Sequence, residues 1–521
     1  MRRINRRRTV KYGIFAWLLT VLVIVAIIIA NITVFFLGSR YEWMYLDMRH
    51  SYVYDISDPC RDYVNEYVIK TVDEHNEKLS AEGKSAEKIK IIFSDDKESI
   101  AAEDWRKYVH DSVVELQGMF PNHIEIEYLN IWENPSRARE LGITSTSNIA
   151  CLFGEKCETV DSKDFYIYDE VDASVAIAYN GEKMLASCLM RATQEYSPMC
   201  YFTANHGESF NDYEFMRTVV EAGYTIGFLD LALQDIPDDC ELLITFDPKQ
   251  DLITNNTISA VSEVEKLDAY MNKGGKYMVF MSPDTFASGD RANFEGFLAE
   301  WGVKYMHEKG DDGIENCYVI KDSANSITVD GYTIIARNAD RGLGGKIMNG
   351  ASAKNVFGNT TCISFANDFA DNGNGNFIAN IGGRERIASA LMVAHSGAEA
   401  WAGGRAVARA GNDGFVLMSA TTQLCENGET ACLVASASTD FATGSNMSSA
   451  ILGNSRTLTG IFRYFGRENA PTSLTFKYFE STEIESLTTR NAYIVTAVLA
   501  VAPVTICSVV GAVVLIRRRF A

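Results

Sequence analysis

A histidine and a carboxylate stand two residues apart in the stretch 200–216, which reads CYFTANHGESFNDYEFM. His206 and Glu208 follow an apolar run and precede a helix-like pattern, so they could act as a general base with its orienting partner. They could also be two ligands of a metal, but a metal site would need a third ligand. The remaining histidines show no recognisable spacing: His50, His75, His110, His123, His307 and His395. The sequence therefore predicts no metal site.

The same stretch also fits a turn. Asn205 and Gly207 both tolerate a positive φ, and Glu208 lies near the start of a helix, where a carboxylate is favoured. We interpret Asn205, His206, Gly207 and Glu208 as a turn that can line a ligand groove. We predict no catalytic residue among them, and we expect His206 to be replaceable with little effect on folding.

The motifs of nucleotide binding and of nucleophilic catalysis do not occur in the sequence. The Gly-Lys-Ser at 83–85 lacks the upstream glycine of a Walker A motif, and neither G-x-S-x-G nor H-E-x-x-H is found. Ser282 ends an apolar run, where a hydrolase or amidotransferase would place its nucleophile. Pro283 follows it, and proline has no N–H to donate to an oxyanion hole. The sequence predicts neither a cofactor nor an enzymatic activity.

Four apolar runs that alternate with helical patterns predict the scaffold of the turn. They are MCYFTA, YTIGFLD, ELLITFD and KYMVFMS, with helices predicted at 209–222 and 257–273. Repeated βα units form a parallel, doubly wound sheet, so we predict a Rossmann-like, amidotransferase-like domain over 196–305. Ligands bind at the carboxyl ends of the strands in such sheets. His206 therefore occupies the position expected of a site.

The regions on either side of this domain also read as α/β structure. Region 39–195 shows the order β-α-β-α-β-β, which is typical of a thioredoxin-like domain. Its first strand runs into Ser94-Asp95-Asp96 in place of Cys-x-x-Cys, and this predicts that redox chemistry is absent. Beyond residue 305 the periodicity weakens, and we predict a mixed α/β extension over 306–490.

Two uncharged spans lie near the ends of the chain, at 12–37 and 492–516. Each exceeds the roughly 20 residues needed to cross a bilayer. Basic clusters lie at their outer ends, so we predict that 1–38 and 491–521 are two transmembrane segments with cytoplasmic tails. The protein would then be a multi-pass protein of the cell membrane with an extracytoplasmic body. Gly511 and Ala512 are either a close helix contact inside the membrane or ordinary lipid-facing positions.

The charge balance excludes one class of partner. The chain has a net charge of −20, and the region between the two spans holds 39 basic and 68 acidic residues. Such a surface repels the phosphate backbone, so nucleic-acid binding is excluded.

Ten of the eleven cysteines lie between the two spans. Two pairs are close in sequence: Cys151 with Cys157, and Cys425 with Cys432. The sequence leaves open whether these pairs form disulfides or are buried thiols.

Several segments, taken in order, resemble the auxiliary component of gliding-motility-type ABC transporters, the GldG-like family. YFTANHGESF resembles the family's GHGE signature, with Asn205 in place of its first glycine. Further segments that follow the family's order are YVYDISDPCRDYV, YNGEKMLASCLMRAT, GYTIGFLDL, ELLITFDPKQDL, LDAYMNKGGKYMVFMSP and LGNSRTLTGIFRYF. The resemblance covers most of the chain. It implies a membrane-anchored, extracytoplasmic accessory subunit that works with a separate permease and ATPase.

The leading functional hypothesis is therefore a non-catalytic accessory subunit of an ABC-type transporter, with ABC permease and ATPase subunits as its partners. Two alternatives stay open at this point. One is a membrane-anchored hydrolase or glycan-processing enzyme that uses His206 and Glu208. The other is a surface glycan- or peptide-binding protein.

Overall fold

The computed structural model describes residues 53–479, apart from 170–171, 173, 210–211, 255–261, 288, 310–314, 348–353 and 450–451. It shows a mixed α/β protein whose two main sheets have 4 and 13 strands. Smaller sheets of two or three strands accompany them.

The first part of the described chain forms the 4-stranded sheet and its helices. In chain order, the elements are α1 (Asp58–Tyr63), a π-helical segment (Val64–Ile69), α2 (Lys70–Ala81), β1 (Ile89–Phe93), α3 (Lys97–Ala101), α4 (Asp104–Met119), β2 (Ile124–Tyr128), α5 (Pro135–Glu140), β3 (Asn148–Phe153), β4 (Lys156–Asp161), a 3-10 turn (Ser162–Phe165), β5 (Tyr166–Tyr168), β6 (Ala176–Tyr179) and α6 (Gly181–Thr193). The sheet has the order β2-β1-β3-β4. Strands β1 and β2 are parallel, and β3 is antiparallel to both β1 and β4.

Strand β1 is buried on both faces of this sheet. Ile91 packs into the larger core, which includes residues of α2, α4 and α6, whereas its neighbour Ile92 packs into a smaller core on the other face. At the end of β1, the side chain of Asp95 accepts hydrogen bonds from both terminal nitrogens of Arg106, each at 3.0 Å. The segment predicted to lack redox chemistry therefore holds a largely buried ion pair.

The next part of the chain forms the parallel strands of the large sheet. Its elements are β7 (Met199–Thr203), α7 (Tyr213–Glu221), β8 (Thr225–Leu229), β9 (Cys240–Phe246), α8 (Glu263–Asn272), β10 (Lys276–Phe280), α9 (Pro283–Ala287) and α10 (Ala292–Glu300). Strand β7 lies between β8 and β9, and β9 lies beside β10. All but one residue of β9 are buried, as expected of a strand covered on both faces.

Local capping explains where the two helices that flank this sheet begin. The side chain of Asp212 accepts a hydrogen bond from Phe215 N, and α7 starts directly after it. The Ser262 hydroxyl accepts from Glu265 N and starts α8 in the same way. Gly274 then ends α8 with a φ of +100°, a conformation that favours glycine.

The large sheet continues well beyond residue 305. The remaining elements are β11 (Val303–Tyr305), β12 (His307–Lys309), β13 (Glu315–Cys317), β14 (Val319–Lys321), β15 (Ile334–Asn338), α11 (Gly342–Ile347), β16 (Asn355–Phe357), β17 (Ile363–Phe365), β18 (Ala370–Asp371), β19 (Asn376–Ile381), β20 (Arg384–Val393), β21 (Glu399–Ala402), β22 (Arg405–Arg409), β23 (Val416–Leu424), β24 (Thr430–Ser436), a 3-10 turn (Asp440–Ala442), α12 (Gly444–Met447), α13 (Asn454–Tyr464) and β25 (Lys477–Tyr478). Strand β24 pairs in parallel with β10, and β23 and β20 follow antiparallel. Strands from 196–305 and 306–490 thus form one sheet, with a separate apolar core on each face.

One part of the predicted fold has to be corrected. Across residues 53–479, as far as the structure describes them, no helix is both long enough and apolar enough to cross a bilayer. Helix α4 has 16 residues, which is too short, and the longer helical stretch 58–81 carries charged residues throughout. The segments predicted to span, 12–37 and 492–516, lie outside the described residues, as do Gly511 and Ala512. The prediction of a two-span membrane protein with cytoplasmic termini and an extracytoplasmic body is contradicted by this finding.

The two ends of the described chain meet. Strand β25 pairs with β6, and the Lys477 ammonium donates a hydrogen bond of 2.5 Å to the carbonyl oxygen of Asp55. The rings of Tyr54 and Phe479 lie 5.9 Å apart, centroid to centroid. The chain therefore enters and leaves the described body at one place.

A buried charge network joins the two parts of the body. Helix α6 packs against α7, and Lys183 on α6 forms an ion pair with Glu221 on α7. Glu221 also accepts from Asn180 at 3.1 Å and lies 3.3 Å from the Arg217 Nε. Burial raises the pKa of Glu221, but Lys183 and Arg217 outweigh burial and lower it below its usual value. Glu221 is therefore a fixed negative charge between two buried cations.

Replacing Glu221 tests how much this network contributes to the free energy of unfolding. We expect Glu221→Gln to lower the free energy of unfolding by about 3–5 kcal/mol, because it leaves the buried Lys183 without its counter-charge and leaves Arg217 with Glu214 alone. Urea unfolding followed by circular dichroism measures the change. The matched control is Glu195→Gln, which removes the exposed pair with Lys78 (82% and 70% exposed side chains) and should cost less than about 1 kcal/mol. Equal effects of the two substitutions would contradict the argument.

Candidate functional site

The candidate loop, residues 205–208, starts two residues after the end of β7, at the carboxyl edge of the large sheet. Asn205 and Gly207 have φ values of +78° and +76°, so two left-handed residues reverse the chain within four positions. Asn205 donates a hydrogen bond to Asp230, which follows the neighbouring strand β8. A Cβ atom on Gly207 would lie 2.9 Å from the Lys249 Cβ, which explains why glycine stands there.

His206 is buried between two carboxylates. Its side chain lies inside the protein, with the residue only 5% exposed. The imidazole Nε2 lies 3.0 Å from Glu263 Oε2, and Nδ1 lies 3.5 Å from Glu208 Oε1. Glu208 in turn accepts hydrogen bonds from Thr203 Oγ1 at 3.0 Å and from the backbone N–H of His206 at 2.6 Å.

This geometry determines the protonation state of His206. Burial lowers the pKa of His206, but the hydrogen bonds and charges of Glu208 and Glu263 outweigh burial and raise the pKa to about 10. Burial raises the pKa of Glu208, but hydrogen bonds, that from His206 foremost, lower it below its usual value. At neutral pH the ring is an imidazolium, whose Nε2 donates to Glu263 and whose Nδ1 faces Glu208 as an ion pair.

An imidazolium cannot accept a proton or bind a metal through a ring nitrogen, because both ring nitrogens already carry a proton. A general base would need a pKa near the working pH and a free lone pair. In the part of the chain that the structure describes, no group of three or more His, Cys, Asp or Glu side chains is arranged to hold a metal ion. The site is therefore arranged for charge pairing.

The loop ties three segments of the carboxyl edge together. The carbonyl oxygen of His206 accepts from the N–H groups of Lys249 and Gln250, at 2.7 and 2.9 Å, in the loop after β9. Glu263 is the first residue of α8, and its carboxylate also accepts from Ile253 N at 2.6 Å. His206 thereby links the end of β7 to the loop after β9 and to the start of α8.

Sequence reasoning missed Glu263. It lies 57 residues beyond His206, and the only local signal is an acidic residue in the first turn of a helix. Acidic residues are common at that position because they are favoured by the helix dipole. No pattern within one segment could have paired Glu263 with His206.

Polar and charged side chains also form hydrogen bonds with one another at the ends of the neighbouring strands. Asp247 follows β9 with a φ of +54° and accepts from Thr285 Oγ1 at 2.5 Å and from Lys249 Nζ at 2.7 Å. Ser282 is 2% exposed, and its backbone N–H donates to Thr285 Oγ1 at 2.9 Å. Ser282 and Pro283 lead into the short helix α9, and the Ser282 hydroxyl lies 3.4 Å from the Thr285 hydroxyl.

A large groove lies elsewhere on the molecule. Its volume is about 900 Å³, and it is lined by the loop 235–241, one face of α8, and Glu429. Cys240 and Lys276, the first residues of β9 and β10, also line it, so it lies at the amino ends of these strands. None of residues 205–208 lines this groove.

Comparison by sequence identifies no family for this chain. No protein-family model matches it, and no curated protein matches it.

Three solved structures are similar to about half of the chain. The mmIFT52 N-terminal domain is 14% identical, with 51% of this chain and 97% of that chain covered and a TM-score of 0.35. Cytoplasmic protein STM3548 from Salmonella typhimurium is 12% identical, with coverages of 51% and 98% and a TM-score of 0.31. PurLQS from Thermotoga maritima is 13% identical, with coverages of 52% and 99% and a TM-score of 0.26. Scores this low carry no conclusion about fold or function.

The pKa of His206 makes a prediction about stability and pH. A folded-state pKa raised from 6.5 to about 10 contributes stability that is fully present below pH 6.5 and is lost as the pH rises towards 10. Each pKa unit is worth about 1.4 kcal/mol, so the loss in the wild type should reach up to roughly 5 kcal/mol. Unfolding free energies measured at intervals across this window, for wild type and His206→Gln, should differ in slope.

The variant itself should be destabilised by about 3–5 kcal/mol at neutral pH, because two buried carboxylates lose their cation. Because His206 is buried, this prediction replaces the sequence-based expectation that its replacement has little effect on folding. His123→Gln is the matched control, since His123 pairs with Asp73 while its side chain remains 26% exposed. Parallel pH profiles for wild type and His206→Gln would show that His206 is not held as an imidazolium.

Proposed function

We propose that this chain is a non-catalytic accessory subunit of an ABC-type transporter, which works through contacts with separate permease and ATPase subunits. The observation that supports this proposal most directly is the protonation state of His206. In the loop that resembles the family's signature, the only histidine is held as an imidazolium between Glu208 and Glu263. The loop is thereby suited to fixing the shape of a surface rather than to bond chemistry.

Two features of the sequence support the same proposal. The segments that resemble the GldG-like family occur in the family's order along most of the chain. The sequence also has no Walker A motif, so any ATP dependence has to come from a partner subunit.

The hydrolase alternative receives no support from the site. Hydrolysis by His206 and Glu208 would require the imidazole to take a proton from water or from a nucleophile. The ring lies 3.0 Å from one carboxylate and 3.5 Å from another, and it already carries both protons at neutral pH. Substrate would also have to reach a residue that is 5% exposed.

Recovery of partner subunits tests the proposal. A tagged full-length chain, crosslinked in its native cells and purified, is expected to bring down an ABC permease and an ABC ATPase, identified by mass spectrometry. The wild-type chain should hydrolyse chromogenic esters, glycosides and peptides no faster than His206→Gln does. Recovery of the chain without either subunit would count against the accessory role. Hydrolysis that disappears in His206→Gln while the variant stays folded would establish the enzymatic alternative.

The large groove at the amino ends of β9 and β10 favours a second candidate function, that of a glycan- or peptide-binding protein. Its volume of about 900 Å³ falls within the range of ligand sites. Calorimetric titration with oligosaccharide and peptide libraries tests this role. Ala269→Trp places a large side chain in the groove and should abolish any binding found there, whereas His206→Gln should leave the affinity unchanged in conditions where it is folded. Binding that survives Ala269→Trp would remove the groove from consideration.

A further inference from the structure

Two cysteines share one core in the first part of the body. Cys151 lies on β3 and Cys188 lies on α6, and both are buried in the core between the 4-stranded sheet and its helices. The Sγ atom of Cys188 donates a hydrogen bond of 3.7 Å to the carbonyl oxygen of Glu158 on β4. Glu158 is the residue directly opposite Cys151 in the pairing of β3 with β4. The two thiols therefore meet where α6 crosses this pair of strands.

The two thiols are chemically unequal. A hydrogen bond between them lowers the pKa of Cys188 and raises that of Cys151, and Arg191, one turn further along α6, also lowers the pKa of Cys188. The Arg191 guanidinium lies 3.3 Å from the Glu158 carboxylate, which holds it beside the strand. A thiolate near an arginine is the more reactive form of cysteine. Arg191 is held beside the strand one turn along α6 from Cys188, and its charge therefore favours the thiolate of that residue.

The register excludes the two pairs that are close in sequence. Cys157 is opposite Leu152 on β3, so it points to the other face of the sheet from Cys151 and packs against a different core. Cys425 and Cys432 likewise belong to cores on opposite faces of the large sheet. None of the ten described cysteines is in a disulfide.

We propose that Cys151 and Cys188 are a redox pair that closes to an intramolecular disulfide when a small-molecule disulfide supplies the oxidising equivalents. The Cys188 thiolate attacks one sulfur of the oxidant, and the other leaves as a thiolate, which gives a mixed disulfide. The Cys151 thiolate then attacks the Cys188 sulfur and expels the second thiolate. Two protein thiols have lost two protons and two electrons, and the oxidant has become two thiols.

Closure of this bond would fix α6 to the sheet. Helix α6 also carries Lys183, the residue that pairs with Glu221 on α7. A covalent link between β3 and α6 would therefore also fix the position of Lys183 relative to the 4-stranded sheet. The bond closes a loop of residues 151–188, and constraining a loop of that length stabilises the folded state.

The test uses the full-length chain, first fully reduced and then incubated under native conditions with excess oxidised glutathione. Because both thiols are buried, the reaction is expected to take on the order of hours. Trypsin then cuts after Arg139, Lys156, Lys183 and Arg191, so Cys151 and Cys157 fall in different peptides. We expect a disulfide-linked species of peptides 140–156 and 184–191, and a melting temperature raised by roughly 5 °C over the reduced chain.

Cys151→Ala and Cys188→Ala should each abolish the linked species and the thermal shift. The matched control is Cys432→Ala, which removes another buried thiol and should leave both results unchanged. A link between 157–163 and 184–191, or no link in a chain that stays folded under the oxidant, would overturn the proposal. A link that forms only after denaturation would overturn it too, because it would show that the native contact does not support the reaction.

Discussion

The carboxyl edge of the large sheet depends on one buried cation, the imidazolium of His206. Removing an ion from water costs several kcal/mol, and attraction between buried charges offsets this cost only when the partners are placed well. Here the partners come from the same loop and from the first residue of α8, so the charge pairing ties this loop to the start of α8. In α/β sheets this edge is where ligands bind. In this protein its own side chains occupy that position.

A second buried network uses the same principle at the junction of the two parts of the body. The hydrophobic effect that stabilises the apolar cores is non-directional. Many small shifts of α6 against α7 would therefore leave the buried apolar area unchanged. The ion pairs of Glu221 with Lys183 and Arg217 are directional and tolerate few such shifts. We infer that the cores provide most of the driving force for folding and that the buried charges select one arrangement.

The predictable parts of the fold are those governed by local pattern. The strands of the parallel sheet follow the apolar runs because strands such as β9 are buried on both faces. The helices predicted at 209–222 and 257–273 are observed at 213–221 and 263–272, since Asp212 and Ser262 cap them later than the periodicity alone suggests. The positive φ values of Asn205 and Gly207 follow from their residue types.

Contacts between residues that are far apart along the chain could not be predicted from the sequence. Glu263 is distant from His206 along the chain, and no short segment indicates that they meet. Cys151 and Cys157 are near each other in sequence, yet the alternation of side chains along the strands places them on opposite faces. The continuation of the sheet past residue 305 likewise depends on β24 pairing with β10. The hydrophobic periodicity of either strand does not indicate this contact.

The meeting of the two chain ends has a mechanical consequence. Tension applied to residues 53 and 479 would act first on the few contacts between them, chiefly the Lys477–Asp55 hydrogen bond and the short pairing of β25 with β6. Val53, Tyr54 and Phe479 also pack against the core of the first part of the body, so that core would bear the load next. The body is therefore expected to yield first by unzipping where its two ends meet.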